Sequence, residues 1–355
     1  MKQSRIVAAA AFIVILSVVL IYFSKDRGSE TVMGMMTQED TGITLRIDMP
    51  EIEEFMAMSK EGPIVPALLQ DAIPQGITYL EEKDWLVISY YRENKEPSLL
   101  GVVEAKTGDF VKAVYLYETE STPYIGHAGG VTASKSHLWI ASGGNANWIE
   151  TKELIDAEND SAIVFGGAIR TDTRASFTTY SDGVLWIGEY ALGSDYPTEQ
   201  SHYMKNRENK EHKAWAAGYK LDEDSDLLPE SKGVNAAGQA APDYVLSLPD
   251  TVQGMHIASG LAWISQSYGS SKPSTLSGYQ VSLAEEPHAT AVFGDQTVPV
   301  WFLDNQNKAE SYTIPPMSEG IVEYGDKMYI LFESGATKFR RASSYALDRI
   351  LVWDK

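Results

Sequence analysis

Five times along this chain the same hairpin unit returns, clearest as Gly254-Met255-His256-Ile257-Ala258-Ser259-Gly260-Leu261-Ala262-Trp263-Ile264-Ser265-Gln266. With the copies set to begin at Gly76, Gly130, Phe177, Gly254 and Gly320, the residue nine places on is Trp85, Trp139, Trp186, Trp263 or Tyr329. The next place is always aliphatic: Leu86, Ile140, Ile187, Ile264 and Ile330. A short strand, a turn marked in most copies by Gly or Asp, and a second strand carrying an aromatic make a β-hairpin.

The copies start 54, 47, 77 and 66 residues apart. A period of this order belongs to propellers and solenoids, in which one unit cannot bury its apolar face alone. Two further strands fit into the gaps, as at 99–105 and 110–117 around the turn Lys106-Thr107-Gly108-Asp109. Helical periodicity is nearly absent after residue 70, which argues against a strand-helix solenoid. The expectation is an all-β fold, a five-bladed β-propeller of four-stranded antiparallel blades.

The N-terminus reads Met1-Lys2-Gln3-Ser4-Arg5 and then runs uncharged from Ile6 to Phe23. That length is at the short end of a membrane span, and Lys2 and Arg5 would hold the N-terminus in the cytoplasm with the rest outside. A cleaved signal peptide, giving a secreted protein, is the rival reading; the residues Ser24-Lys25-Asp26-Arg27 after the run offer no small-x-small cleavage pattern. The expected organisation is a transmembrane helical anchor over 1–23, a tether over 24–42 and the propeller over 43–355. The chain has no cysteine, so no disulfide braces an exported domain, and a core of this size does not need one. A net charge of −20 disfavours nucleic acid and anionic lipid surfaces as partners.

A propeller commonly closes its ring by completing the last blade with a strand from the other terminus, because an open blade leaves an exposed sheet edge. After 345–353 only two residues remain, so a strand from 43–60 is expected beside 349–353, with Pro50 limiting the alternating stretch 42–49. The longest insertion, 193–213, carries Tyr196, His202 and Tyr203 and reads as either a disordered surface loop or a lid, the aromatics favouring an ordered flap; 222–241 reads as a long loop.

In an antiparallel blade the innermost strand begins on the face where the second strand ends, so both sets of loops crowd one mouth of the central channel. Entry loops bring Gln75, His127, Ser176, Gln253 and Glu319 there; second-strand ends bring Tyr91, Asn145, Glu189, Gln266 and Glu333. Such polar and aromatic residues suit a pocket for a polar small molecule. His127 and His256 are expected to face one another across the mouth, a weak metal signal without a third ligand. Glu189 and Glu319 form the best carboxylate pair, a nucleophile and acid if about 5 Å apart and an inverting pair if farther. A divalent cation such as Ca2+, held by those two and by channel carbonyls, is a further reading, although no spaced Asp loop supports it. The glycines opening the copies are read as close backbone approach at the axis, and the glutamines as either ligand contacts or ties between loops.

Pro-Gln-Gly at 74–76, Gly-His-Ala-Gly-Gly at 126–130, Leu-Trp-Ile-Gly-Glu-Tyr at 185–190 and Met-Ser-Glu-Gly-Ile at 317–321 resemble the blade starts of exported bacterial propellers of the gluconolactonase-like and NHL-repeat kind. The resemblance covers roughly 70–353 and specifies fold better than activity. Gluconolactonase-like enzymes hold a metal on a Glu, two Asn and an Asp; Glu319 would stand for one ligand, and no other entry loop offers Asn or Asp, so the lactonase activity is not carried over. Five-bladed glycosidases place an aspartate near the start of the first blade, where this chain has Gln75.

Two function classes remain open. The first is a membrane-anchored extracytoplasmic module that binds a polar small molecule or a protein partner at its mouth. The second is a hydrolase or lyase acting on a saccharide or lactone, with Glu189 and Glu319 as acid and base. A strongly raised carboxyl pKa in a closed site favours the enzyme; a channel filled by glutamines bonded to backbone favours a scaffold.

Overall fold

The computed structural model describes residues 35–355 apart from Asn94, and Met36–Lys355 form one compact unit. The expected anchor over 6–23 lies outside the described residues. Among the described residues no helix is long and apolar enough to cross a membrane.

Five antiparallel sheets stand around one axis, each beginning at the expected hairpin. Blade 1 is Ala72–Leu80, Trp85–Arg92, Leu99–Glu104 and Phe110–Thr119. Blade 2 is Val131–Ala133, His137–Ser142, Asn145–Glu150 and Gly167–Arg170. Phe177–Ser181, Val184–Gly188, Ala214–Lys220 and Tyr244–Leu248 make blade 3. Val252–Ala258, Leu261–Gln266, Ser274–Gln280 and Lys308–Ile314 make blade 4.

Blade 5 is closed by the N-terminal region. Ser318–Tyr324 and Lys327–Phe332 are followed by Arg349–Asp354, and Ser59–Ile64 pairs outside it, Ser59 opposite Trp353. The closing strand comes later than the alternating stretch suggested. Of that stretch only Thr44–Leu45 pairs, with Tyr345–Ala346, because Pro50 starts a helical turn that runs into Glu53–Met58. The sequence Ser-Lys-Glu-Gly-Pro-Ile lacks a strand-like pattern; Gly62 and Pro63 sit in an irregular stretch of an edge strand, where proline is tolerated. Residues 36–42, read as tether, also lie on the propeller: Met36 is buried, and Asp348 accepts hydrogen bonds from Thr41 N (2.6 Å) and Gly42 N (2.5 Å).

Two blades grow beyond four strands by borrowing from the next. Ser161–Val164, between the third and fourth strands of blade 2, pairs in parallel with Phe110–Thr119 of blade 1. The hairpin Ala289–Phe293 with Gln296–Phe302, inserted in blade 4, pairs in parallel with Tyr244–Leu248 of blade 3. These additions cover outer edges that would otherwise present unpaired backbone groups.

At the axis the glycines touch. A Cβ on Gly130 would sit 2.5 Å from Thr178 N, one on Gly254 2.9 Å from Gly320 Cα, and one on Gly320 2.7 Å from Ile77 N. The axial space among these inner strands is only about 10 Å³, so the channel is shut at its waist and only its mouths are open to a ligand. The repeated aromatics pack in the sheets: Trp186 lies opposite Gly218 and Trp263 opposite Gly278, each indole filling the room of the missing side chain.

Candidate functional site at the channel mouth

Inner-strand β-bulges shape the mouth. The ladder between first and second strands slips between Pro74 and Gly76, between Val252 and Gly254, and between Ser318 and Ile321. The residues in those slips are Gln75, Gln253 and Glu319 with Gly320. A bulge adds a residue and re-aims its side chain, here at the one place where three blades converge on the axis.

From there a hydrogen-bonded circuit runs through four blades. Gln253 Nε2 donates to Glu319 Oε1 at 2.9 Å. Glu319 is hydrogen-bonded to Glu333, and Gln75 Nε2 donates to Glu333 Oε2 at 3.1 Å and to Pro74 O at 2.9 Å. Gln75 Oε1 lies 2.8 Å from His127 Nε2; because an amide oxygen only accepts, His127 carries its proton on Nε2. The His127 ring stacks on Tyr91 at 4.1 Å, and Tyr91 accepts from Lys338 Nζ at 3.2 Å. Blade 3 closes the wall with Tyr190, whose hydroxyl donates to Ser267 O at 3.3 Å and whose phenol is pushed up by burial and by the nearby Glu319.

The electrostatics centre on the two glutamates. Glu319 is 2% exposed; burial, then the charge and hydrogen bond of Glu333, raise its carboxyl well above the usual range. Burial also pushes Glu333 up to about 7, against the Gln75 hydrogen bond and the Lys338 charge. Two carboxyls in hydrogen-bond contact cannot both ionise, so Glu319 holds the proton and donates it to Glu333 around neutrality. Burial and Lys338 bring His127 down to about 4, leaving it a neutral donor.

Of the residues expected at the mouth, Gln75, Tyr91, His127, Gln253, Glu319 and Glu333 meet in this circuit. Glu189 does not. It is fully buried, with Oε1 accepting from His202 Nδ1 (2.7 Å) and Trp215 N (3.0 Å) and Oε2 accepting from Arg174 N (3.2 Å). The carboxylate that meets Glu319 is therefore Glu333, and Glu189 instead anchors the flap. His256 is displaced as well: relative to the first residue of its copy it sits five positions beyond where His127 sits, roughly 16 Å along a strand. It faces Glu323, at 3.7 Å, near the opposite hairpin end. Gln266 donates to Asp250 O, just before the first strand of its own blade, at 2.8 Å, and Asn145 to Gly143 O at 3.5 Å within its own turn. The serines ending second strands are clasps, with Ser89 Oγ donating to Gly129 O and Ser265 Oγ to Glu319 O of the next blade.

Among the described residues no group of three or more His, Asp or Glu side chains is placed to hold a metal ion. The Ca2+ reading on Glu189 and Glu319 fails on geometry, since the two belong to separate networks. Lys338 is the residue the sequence reading misses: it lies in the loop before the last strand, with no repeat to mark it.

The flap is ordered. A helical turn at Gln200–His202 and the small hairpin Met204–Lys205 with Glu211–His212 fold against the propeller. His202 bridges Glu189 and Asp172 (3.4 Å) and stacks on Trp215 at 4.1 Å. Burial opposes its charge, but the two carboxylates outweigh burial and push it up to about 9. Arg207 grips buried Asp304 through Nε (2.9 Å) and Nη2 (2.5 Å).

No family model matches the chain, and no curated protein matches it in sequence. Solved structures of similar fold include a glutaminyl cyclase from Myxococcus xanthus, at 10% identity, covering 83% of this chain and 93% of that one with a TM-score of 0.39. A GH43_1 enzyme from Xanthomonas citri matches at 8% identity over 86% and 92%, TM-score 0.41. A gluconolactonase from Xanthomonas campestris matches at 9% identity over 90% and 97%, TM-score 0.38. At these identities and TM-scores the likeness carries no argument about this chain.

Proposed function

We propose that the protein is a membrane-anchored, extracytoplasmic β-propeller, held by the apolar segment 6–23 with its N-terminus in the cytoplasm, that binds a polar small molecule at the channel mouth. The observation that carries this reading is the Glu319–Glu333 pair. A carboxyl that keeps its proton beside a carboxylate titrating near 7 offers a donor and an acceptor side by side, and the Tyr190 phenol lies near Glu319. Gln75 and Gln253 each donate to one of these carboxyls, which suits a polar ligand site better than a set of loop ties alone.

The raised carboxyl also favours a second reading, a hydrolase or lyase acting on a saccharide or lactone. Hydrogen-bonded carboxyls are too close for a glycosidase pair, which needs about 5–9.5 Å between them. They suit instead a shared-proton dyad in which Glu333 takes a proton from water while Glu319 protonates the leaving oxygen. Calorimetric titration with neutral saccharides and aldonolactones across pH 5–9, with product analysis, separates the readings. The binding site requires an affinity that changes near pH 7 in the native chain and loses that dependence in Glu333→Gln; affinity untouched by both Glu319→Gln and Glu333→Gln would sink it.

A further inference from the structure

A second polar cleft, of about 390 Å³, opens where blades 2 and 3 meet the flap. Its size falls within the range of small-molecule sites, roughly 300–1,000 Å³. It shares none of the residues of the mouth circuit. It is lined by Glu189, by Arg170, Asp172, Arg174 and Gln239, and by Pro197, Thr198 and Glu199 of the flap. The walls are braced: Arg174 Nη1 donates to Pro197 O at 2.8 Å, Arg174 N to Glu189 at 3.2 Å, and Gln239 Nε2 to Thr171 O at 3.3 Å.

Within this braced cleft, besides the exposed Glu199 of the flap, two opposite charges lack partners among the described residues. Asp172 Oδ2 lies 3.4 Å from His202 Nε2, whereas Asp172 Oδ1 is out of solvent and accepts no hydrogen bond. A buried carboxylate oxygen left without a donor loses its hydration and gains nothing in return, so a donor is missing there. His202 already shares its charge between Glu189 and Asp172, two carboxylates to one imidazolium, which leaves negative charge at the cleft. Two residues before Asp172, the exposed Arg170 guanidinium has no ion-pair or hydrogen-bond partner among the described residues. Its planar fork matches a carboxylate.

We propose that this cleft binds a small zwitterion of the α-amino-acid type, Asp172 taking the ammonium group and Arg170 the carboxylate. Two opposite charges on one ligand account for both unpartnered groups at once, which neither an anion nor a simple amine does. The rest of the lining, Thr171, Thr173, Thr198 and Gln239 with the exposed Glu199 of the flap, is polar and suits a small polar side chain.

The experiment is isothermal titration calorimetry of the full chain in mild detergent near pH 7. The common α-amino acids are offered in turn, with ethylamine and propionate as one-charge controls. At least one amino acid is expected to bind and both controls to fail, and R170Q and D172N are each expected to weaken binding by about tenfold or more. Because D172N also touches the His202 bridge, its melting temperature is recorded beside its affinity. R170Q alters an exposed side chain and leaves the fold intact, so it decides the matter alone. Absence of heat with every amino acid, controls that bind as well as the zwitterions, or R170Q binding at native affinity would each overturn the assignment.

Discussion

Glu333 sets a pH dependence that can be read in stability as well as in binding. Its carboxyl is raised from 4.5 in the open chain to about 7 in the fold, so the folded state binds the extra proton between those values. The stabilisation is full below about 4.5 and is lost as pH rises through about 7. Thermal melts are expected to fall across that window, and Glu333→Gln, which keeps a neutral side chain, is expected to flatten the curve. The axial glycines test a different cause. In Gly130→Ala the new Cβ meets backbone of blade 3, at 2.5 Å from Thr178 N and 2.6 Å from Phe177 Cα, and backbone cannot swing aside. A loss of about 2–3 kcal/mol is expected, read by denaturant unfolding. Gly143→Ala meets nothing within 4 Å, so its cost is only that of a left-handed backbone at φ +56°, roughly 1–2 kcal/mol. Equal losses in the two variants would contradict close approach as the role of Gly130. That role was legible in the repeat itself, because the glycine recurs at one register position; the partner of Glu319 was not, because no spacing links 319 to 333 rather than to 189.

Among the elements, the flap depends on two ionic contacts of different kinds. His202 is charged in the fold up to about 9, against 6.5 in the open chain, so its contribution is complete below 6.5 and disappears as pH climbs through 9. Limited proteolysis is expected to cut within 193–213 faster at pH 10 than at pH 7, and a cleavage rate independent of pH would refute the latch. Arg207 is bound at both its forks to an Asp304 carboxylate that has no exposed surface. Arg207→Ala strands that charge, and a loss of about 3–5 kcal/mol is expected on chemical denaturation, with Asp304→Asn in the same background recovering part of it. An ordered flap could be anticipated from its aromatic residues. Its anchors could not, since nothing in the sequence ties Glu189 to His202 rather than to the mouth, and Asp304 lies 97 residues from Arg207 and is brought to it only by the packing of blades 3 and 4.

For the molecule as a whole, ring closure is the decisive event. Removing residues 36–64 takes away the outer strand of blade 5 and the contacts of Thr41 and Gly42 with Asp348, leaving Arg349–Asp354 as an open edge. The truncated chain is expected to lose its single cooperative transition and to self-associate, seen by calorimetry and light scattering; a melt as sharp as that of the intact chain would contradict this. The order of amino acids determined by itself that there are five blades, where each begins, and which face gathers polar loops, because a pleated strand alternates its side chains and an aromatic returning at a constant interval has one packing solution. Only the tertiary structure decided which strand seals the ring, which strands are lent to neighbouring blades, and which two carboxyls share a proton. Those outcomes depend on distances between segments up to about three hundred residues apart, set by a closed circle of sheets and by three bulges that have no mark in the chain.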